Sequence, residues 1–244
     1  MALREYRKKR DFKISPEPAG DGKSGASHGR GIYVIQKHRA SHLHYDFRLE
    51  SNGTLLSWAV PKGPSLDPSV KRLAMQVEDH PIEYATFEGV IPPGEYGGGT
   101  VMVWDKGTWS PEVPDVSAAL EKGDLKFALS GDKLKGSWVL VRTHGYGSNS
   151  KPSWLLIKHR DRFASSTRDI IDEMPRSAVS NRLLAEIARA EGGDVATAAT
   201  GDPPMKKQRS DGGNRKTAGS QNAKAASPAH SAKNRRRRTK KASA

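Results

Sequence analysis

The sequence predicts an all-β protein: a small antiparallel β-barrel of about eight strands with short helices, flanked by an N-terminal arm and a disordered basic tail. Three observations carry this expectation. Short stretches of alternating apolar and polar residues recur through the middle of the chain, punctuated by Gly, Pro, Asn and Asp. Helical periodicity is almost absent before residue 177. Charge is segregated: of a formal net charge of +14, +12 lies in residues 203–244, where thirteen Lys/Arg face Asp211 alone.

The elements follow in order. Residues 1–30 form the arm; their PEPAGDGKSGASHG stretch has no periodicity and reads as extended chain. Residues 31–163 are assigned to the barrel. GIYVIQK (31–37), HLHYDFRLE (42–50), TLLSWAV (54–60) and KRLAMQVED (71–79) alternate as half-buried strands do. A Gly/Pro-punctuated connection leads to TVMVWD (100–105) and GTW, read as a strand pair. Residues 115–122 suit a short helix, DLKFALSG and KGSWVLVRT a hairpin through GDKLK, and SWLLIKHRD (153–161) the last strand. Residues 164–202 are expected to be a linker with one amphipathic helix over 177–190, capped by Ser180, with disorder beyond 191. The five tryptophans are assigned mostly to the core.

Composition narrows the function. Hydrophobic content is 35% and mean hydropathy −0.71, low for a chain folded throughout. A folded part of about 130–150 residues is expected. With no cysteine, disulfides, thiolate metal sites and cysteine nucleophiles are excluded. No apolar run reaches the roughly 20 residues of a membrane span, and no membrane partner is expected. MALREYRKKRDF lacks the apolar core of a secretory signal. A cytoplasmic or nucleoid location is expected, or a nuclear one in a eukaryote. The basic tail points to a polyanion, nucleic acid first.

The chemistry concentrates in HRASHLHYDFRLE, residues 38–50. On a strand, His42, His44, Asp46 and Arg48 share one face, and Leu43, Tyr45, Phe47 and Leu49 the other. The second set suits a core. The first cannot be buried without partners and calls for a ligand, a cation or solvent. His44 and Asp46 can converge on a divalent ion. A third ligand could be His38, folded back by the short RAS turn, or His80 at the end of another strand. A guanidinium near such an ion implies an anion between them, so ion plus Arg48 suits a phosphoryl group. Lys62, Arg72 and Tyr84 could add donors. His28, His144, His159 and His230 read as surface or hydrogen-bonded side chains, and PPGEYGGGT as a turn allowing close backbone approach.

IQKHRASHLHYDFRLE, SWAVPKGPSLDPSVKRLAMQVEDHPIEYATFEGVIPPGEYGGGTVMVWDKGTW and WLLIKHRD resemble the 3′-phosphoesterase domain of bacterial DNA ligase D over roughly residues 1–163. The resemblance implies a β-barrel and a Mn²⁺-dependent activity on DNA 3′ ends, with Co²⁺ or Zn²⁺ as other candidate ions. A 3′-terminal ribonucleotide would be removed, then the 3′-phosphate, leaving a 3′-OH for non-homologous end joining. The implied metal ligands are His38, His44 and Asp46. Arg48, His80 (protonated) and Tyr84 would contact the phosphate and transition state. Lys62, Arg72 and Arg10 would bind phosphate or DNA, and Asp11, Glu17, Gln36 and Glu78 would support them. Because few residues follow the barrel, the sequence is similar to a stand-alone form. Separate ligase, polymerase or Ku-type end-joining proteins would then be its partners. Two other readings are weighed beside it: a non-haem Fe(II) oxygenase with His44, Asp46 and His80 as a facial triad, and a non-catalytic DNA-binding repair module.

Overall fold

The computed structural model describes residues 3–20, 30–143 and 153–204. The expected disordered tail lies outside the described residues from 205 onward, as do His28, His144 and His230. Among the described residues, nine strands run in the order β1 (Gly31–Arg39), β2 (Leu43–Ser51), β3 (Thr54–Val60), β4 (Arg72–Gln76), β5 (Gly89–Ile91), β6 (Gly99–Pro111), β7 (Asp124–Gly131), β8 (Lys135–Thr143) and β9 (Ser153–Lys158). Every pairing is antiparallel. The hydrogen-bonded order is β1-β2-β3-β4-β9-β8-β7-β6, and β6 pairs back with β1. That closes an eight-stranded barrel, as the alternating pattern predicts. The short β5 pairs with the start of β6, outside the ring.

Alternation sorts the side chains. Tyr33 and Ile35 of β1 and Tyr45, Phe47 and Leu49 of β2 join the central cluster with Trp58, Trp104, Trp109, Trp138 and Trp154. All five tryptophans are therefore core residues. Each removes roughly 150–250 Å² from water, about 4–6 kcal/mol before entropic costs. The strand pair expected at 100–109 is one continuous strand. Its register against β1 shifts at Ile35/Gln36, where Ile35 faces Asp105 and Gln36 faces Val103. The extra residue changes parity, so Met102, Trp104 and Trp109 all reach the core. Seen in sequence, that parity change looks like a break.

A second cluster, Tyr6, Val34, Leu55, Tyr84, Ala85 and Val103, packs on the outside of the barrel wall. Here the expectation of an extended arm needs correction. Residues Arg4–Lys8 form a helical turn, α1, and Tyr6 is fully buried, with its hydroxyl donating to the Pro18 carbonyl. The single aromatic of α1 docks on β1 and β3 residues far along the chain, which leaves no local periodicity to read.

The helix over 115–122 appears as α2 (Val116–Lys122). Asp115 caps it by accepting from Ala118 N, and Gly123 ends it at φ 83°. The expected strand 71–79 shortens to β4 because the chain leaves the sheet after Gln76. A short helix not foreseen, α3 (Ile170–Glu173), follows the last strand. The helix expected from 177 begins at Leu184, as α4 (Leu184–Ala190). Ser180 does not cap it; its hydroxyl is spent on Glu88, and Asn181 is left-handed at φ 57°. Asp202 caps α4 instead, accepting from Leu184 N and Ala185 N. Order therefore continues past residue 191, through α5 (Val195–Ala199), whose Ala198 is buried. Among the described residues no helix is long and apolar enough to cross a membrane.

Candidate functional site

The outward face of β1, β2 and β3 is polar yet buried. Gln36, His38, Asp46, Arg48 and Ser57 all lie below a tenth exposed. The register explains their convergence. His38 pairs directly with His44, Gln36 with Asp46, and Arg48 with Ser57. The Ala40–His42 turn thus brings His38 back against His44, ring centroids 4.7 Å apart. Two further segments cover this face: the arm, with Arg10 and Glu17, and the connection after β4, with Glu78, His80 and Tyr84. An antiparallel bridge to Leu55 fixes His80, with both backbone bonds formed at 2.8 and 3.0 Å. Between these layers lies a cavity of about 310 Å³, lined by Arg10, His38, His44, Asp46, Arg48, His80, Tyr84 and Tyr96 among others.

His38, His44 and Asp46 offer ligand atoms that all lie within 4.8 Å of one another, and no other such group occurs among the described residues. Asp46 Oδ2 is 3.7 Å from His38 Nδ1, and its Oδ1 is 3.7 Å from His44 Nε2. His44 Nδ1 donates to the His42 carbonyl at 3.0 Å, which leaves the Nε2 lone pair facing the carboxylate. Among the described residues, His38 Nε2 is buried with no hydrogen-bond partner. Two imidazoles, one carboxylate and an orphaned ring nitrogen fit a divalent first-row cation. His42 was expected on the same face; it is exposed and precedes β2, and only its carbonyl takes part. The oxygenase triad of His44, Asp46 and His80 is not assembled, since His38 rather than His80 completes the group.

Arg48 is 2% exposed and fully occupied in three directions. Its Nε donates to Gln36 Oε1 at 2.8 Å, Nη1 to Ser57 Oγ at 2.9 Å and Nη2 to Asp46 Oδ2 at 3.0 Å. The anion expected between guanidinium and ion is therefore already present as the Asp46 carboxylate. Two of the five N–H donors remain for a ligand. Burial would raise the Asp46 carboxyl, but Arg48 and the two imidazoles outweigh it and hold the group far below the usual carboxylate range. Gln36 is held in turn, its Nε2 donating to the Tyr84 and Phe87 carbonyls.

His80 differs from the protonated form expected. Arg10 Nη2, which can only donate, lies 3.2 Å from His80 Nε2, so that nitrogen accepts. His80 Nδ1 then donates to the Glu78 carbonyl at 2.9 Å. Burial, with Arg48 and Arg10 beside it, pushes this imidazole well below its ordinary value, so it is neutral. Tyr84 donates to Glu17 Oε1 at 2.9 Å, its ring lies 4.9 Å from the Arg48 guanidinium, and burial raises its hydroxyl well above the ordinary range. Glu17 also receives Arg10 Nε at 2.8 Å, and Glu78 receives Lys9 at 2.9 Å and Arg10 at 3.3 Å.

Three expected residues stand apart. Lys62 is exposed in the loop after β3, Arg72 is half-buried at the start of β4, and neither lines the cavity. Asp11 is exposed and shapes a turn, accepting from Lys13 N. His159, beyond β9, lies 2.7 Å from the Ser137 hydroxyl, as a structural histidine does. Three residues of the site were missed. Ser57 shares its face of β3 with Leu55 and Ala59, so the TLLSWAV alternation gave no polar face to read it from. Lys9 and Tyr96, which meet at the cavity rim, gave no local signal.

A closed antiparallel barrel with a His–His–Asp group and a buried guanidinium under one cavity defines a small-barrel protein with a candidate metal site. Residues 36–142 match the family described as the DNA ligase D 3′-phosphoesterase domain, and that segment is a domain of this family. It is 55% identical over 184 residues to the multifunctional non-homologous end joining protein LigD of Pseudomonas aeruginosa, covering 75% of this chain and 22% of that protein. The LigD protein of Mycobacterium bovis is 46% identical over 143 residues, 59% of this chain and 18% of the relative. That of Mycolicibacterium smegmatis is 39% identical over 166 residues, 65% and 21% respectively. The chain thus spans about a fifth of the length of these relatives.

Proposed function

We propose that the barrel is a metal-assisted phosphoesterase that processes DNA 3′ ends, removing a 3′-terminal ribonucleotide or a 3′-phosphate to leave a 3′-OH for non-homologous end joining. The observation that carries this is the placement of the His38–His44–Asp46 group and the two free donors of Arg48 in one cavity. Mn²⁺ is the ion proposed, with Co²⁺ or Zn²⁺ as alternatives. Held by His38, His44 and Asp46, such a cation would supply Lewis-acid polarisation of a phosphoryl oxygen.

The chain's own groups do the rest. Arg48, fixed by Gln36, Ser57 and Asp46, presents its remaining N–H groups to the equatorial phosphoryl oxygens without reorganising. Tyr84 lines the same cavity and is held in place by Glu17. His80 is neutral before substrate arrives. A phosphoryl group brings negative charge beside it, which favours the protonated ring and makes a proton available to the leaving oxygen. Arg10, bound to His80, moves with that change. Lys62 and Arg72, outside the cavity, suit contacts to the strand leading away from the end, and Asp11 supports the turn that carries Arg10. The basic residues 203–244 would add salt-dependent DNA affinity. Ligase, polymerase or Ku-type end-joining proteins are the proposed partners, in the bacterial cytoplasm or nucleoid.

One assay tests the reading. Wild type with Mn²⁺ should release phosphate from a 3′-phosphate primer-template and a nucleoside or nucleotide from a ribonucleotide-ended one. Asp46→Ala should do neither and should lose Mn²⁺ binding by calorimetry. No product from wild type with Mn²⁺, Co²⁺ or Zn²⁺ would overturn the proposal.

A further inference from the structure

The PPGEYGGGT stretch takes no part in the chemistry above, yet it is built into the same cavity. It forms the loop, residues 92–98, that joins β5 to β6. Its glycines bring it close to the end of β1. A Cβ on Gly99, at φ 149°, would collide with the Arg39 carbonyl, one residue past His38. A Cβ on Gly98 would come within 2.8 Å of the Pro92 oxygen, and one on Gly97, at φ 79°, would lie 3.6 Å from the His38 ring. Backbone bonds from Glu95 N to Pro92 O and from Gly98 N to Glu95 O fix the tip. This packing places Tyr96 at the cavity mouth.

Tyr96 is unlike the other aromatics there. Tyr84 is 3% exposed and Tyr6 is fully buried, whereas Tyr96 is 49% exposed. Its position is nonetheless set. Lys9 Nζ lies 4.6 Å from the ring centroid and 3.4 Å from the hydroxyl, and Lys9 is itself anchored to Glu78 at 2.9 Å. A held, solvent-facing aromatic ring beside a cation, at the mouth of a cavity that suits a phosphoryl group, matches the two halves of a nucleotide. The ring suits a base face and the ammonium a backbone phosphate.

We propose that Tyr96 is the nucleobase platform of the site. It stacks on the base of the terminal nucleotide, while Lys9 meets the neighbouring phosphate. The inference rests on the phosphoesterase reading and sharpens its substrate class: phosphate esters carried on a base-bearing nucleoside, with little preference among bases because every base offers a π-face. Tyr96 is a specificity residue, outside the reacting atoms.

The test combines a binding signal with kinetics. A 3′-phosphate primer with 2-aminopurine as its terminal base is titrated with metal-free protein. Wild type and Tyr96→Phe should quench the fluorescence, and Tyr96→Ala should not. With Mn²⁺, Tyr96→Ala should raise KM about tenfold on a base-bearing 3′-phosphate end, the factor given by about 1.4 kcal/mol of lost stacking. Its kcat should stay close to wild type, and its KM on an end with an abasic terminal nucleoside should not change. Equal quenching by Tyr96→Ala and wild type, or an equal KM rise on abasic ends, would overturn the platform while leaving the phosphoesterase reading intact. Quenching that depends on Tyr96 in a protein that hydrolyses neither substrate would support the platform and sink that reading.

Discussion

Replacing Glu17 tests whether the N-terminal arm is a working part of the site. Its carboxylate is completely enclosed and serves three donors. Arg10 Nε and the Tyr84 hydroxyl reach Oε1 at 2.8 and 2.9 Å, and the Ser15 hydroxyl reaches Oε2 at 2.8 Å. Glu17→Ala removes a charge-assisted bond, about 1.5–3 kcal/mol, and strands a buried phenol, about 1–3 kcal/mol more. Arg10 keeps Glu78 at 3.3 Å, so its charge is not abandoned. The total should be about 3–5 kcal/mol, the range for losing one partner of a buried ion pair. Glu17→Gln keeps the shape and one oxygen, and should cost about 2 kcal/mol. Urea unfolding of metal-free protein, followed by tryptophan fluorescence, measures both. Each variant should lose stability in that order, against a whole-domain stability of roughly 5–15 kcal/mol. An alanine variant within about 0.5 kcal/mol of wild type, as at an ordinary surface position, would refute the docked arm and its bridge to Tyr84.

Two other outcomes follow from the same contacts. His80 and His44 are both held below the ordinary imidazole value of 6.5, chiefly by burial. Below that pH the unfolded chain binds protons that the folded chain refuses, so stability is full above pH 6.5 and lost as pH falls. The slope should be at most about 1.4 kcal/mol per pH unit for each imidazole. Urea midpoints of the metal-free protein at pH 7.5, 6 and 5 should fall, less steeply in His80→Gln, and a midpoint that rises on acidification would contradict the neutral assignment. Asp202→Ala uncaps α4 and should cost about 1 kcal/mol in the same assay. No loss would mean that the two Asp202 hydrogen bonds are not what holds the α4–α5 segment.

The barrel was legible because its strands carry their own periodicity. In HLHYDFRLE the alternation alone separates Tyr45 and Phe47, which fill the core, from His44, Asp46 and Arg48, which do not. The short turn between two histidines also suggested the pairing of His38 with His44, and the register bears it out. What could not be read depends on distant partners. Glu17 looks like loop filler between two prolines until Tyr84, 67 positions on, is seen to donate to it. Ser180 has the right type and place for a cap, but Glu88 claims its hydroxyl, while Asp202 reaches α4 from the far end of the segment. His80 shows the same limit in electrostatics. Its strand end was visible in sequence, but its charge state depends on Arg10, which arrives with the arm.

The cavity opens on the outer wall of the barrel, while the lumen is packed solid with indoles. A lumenal pocket admits only what can fit through a strand-rimmed mouth, so it suits small molecules. A side-mounted pocket sets no such limit on length. It can take the last unit of a long polymer while the remainder lies across the neighbouring surface, and nothing has to be threaded.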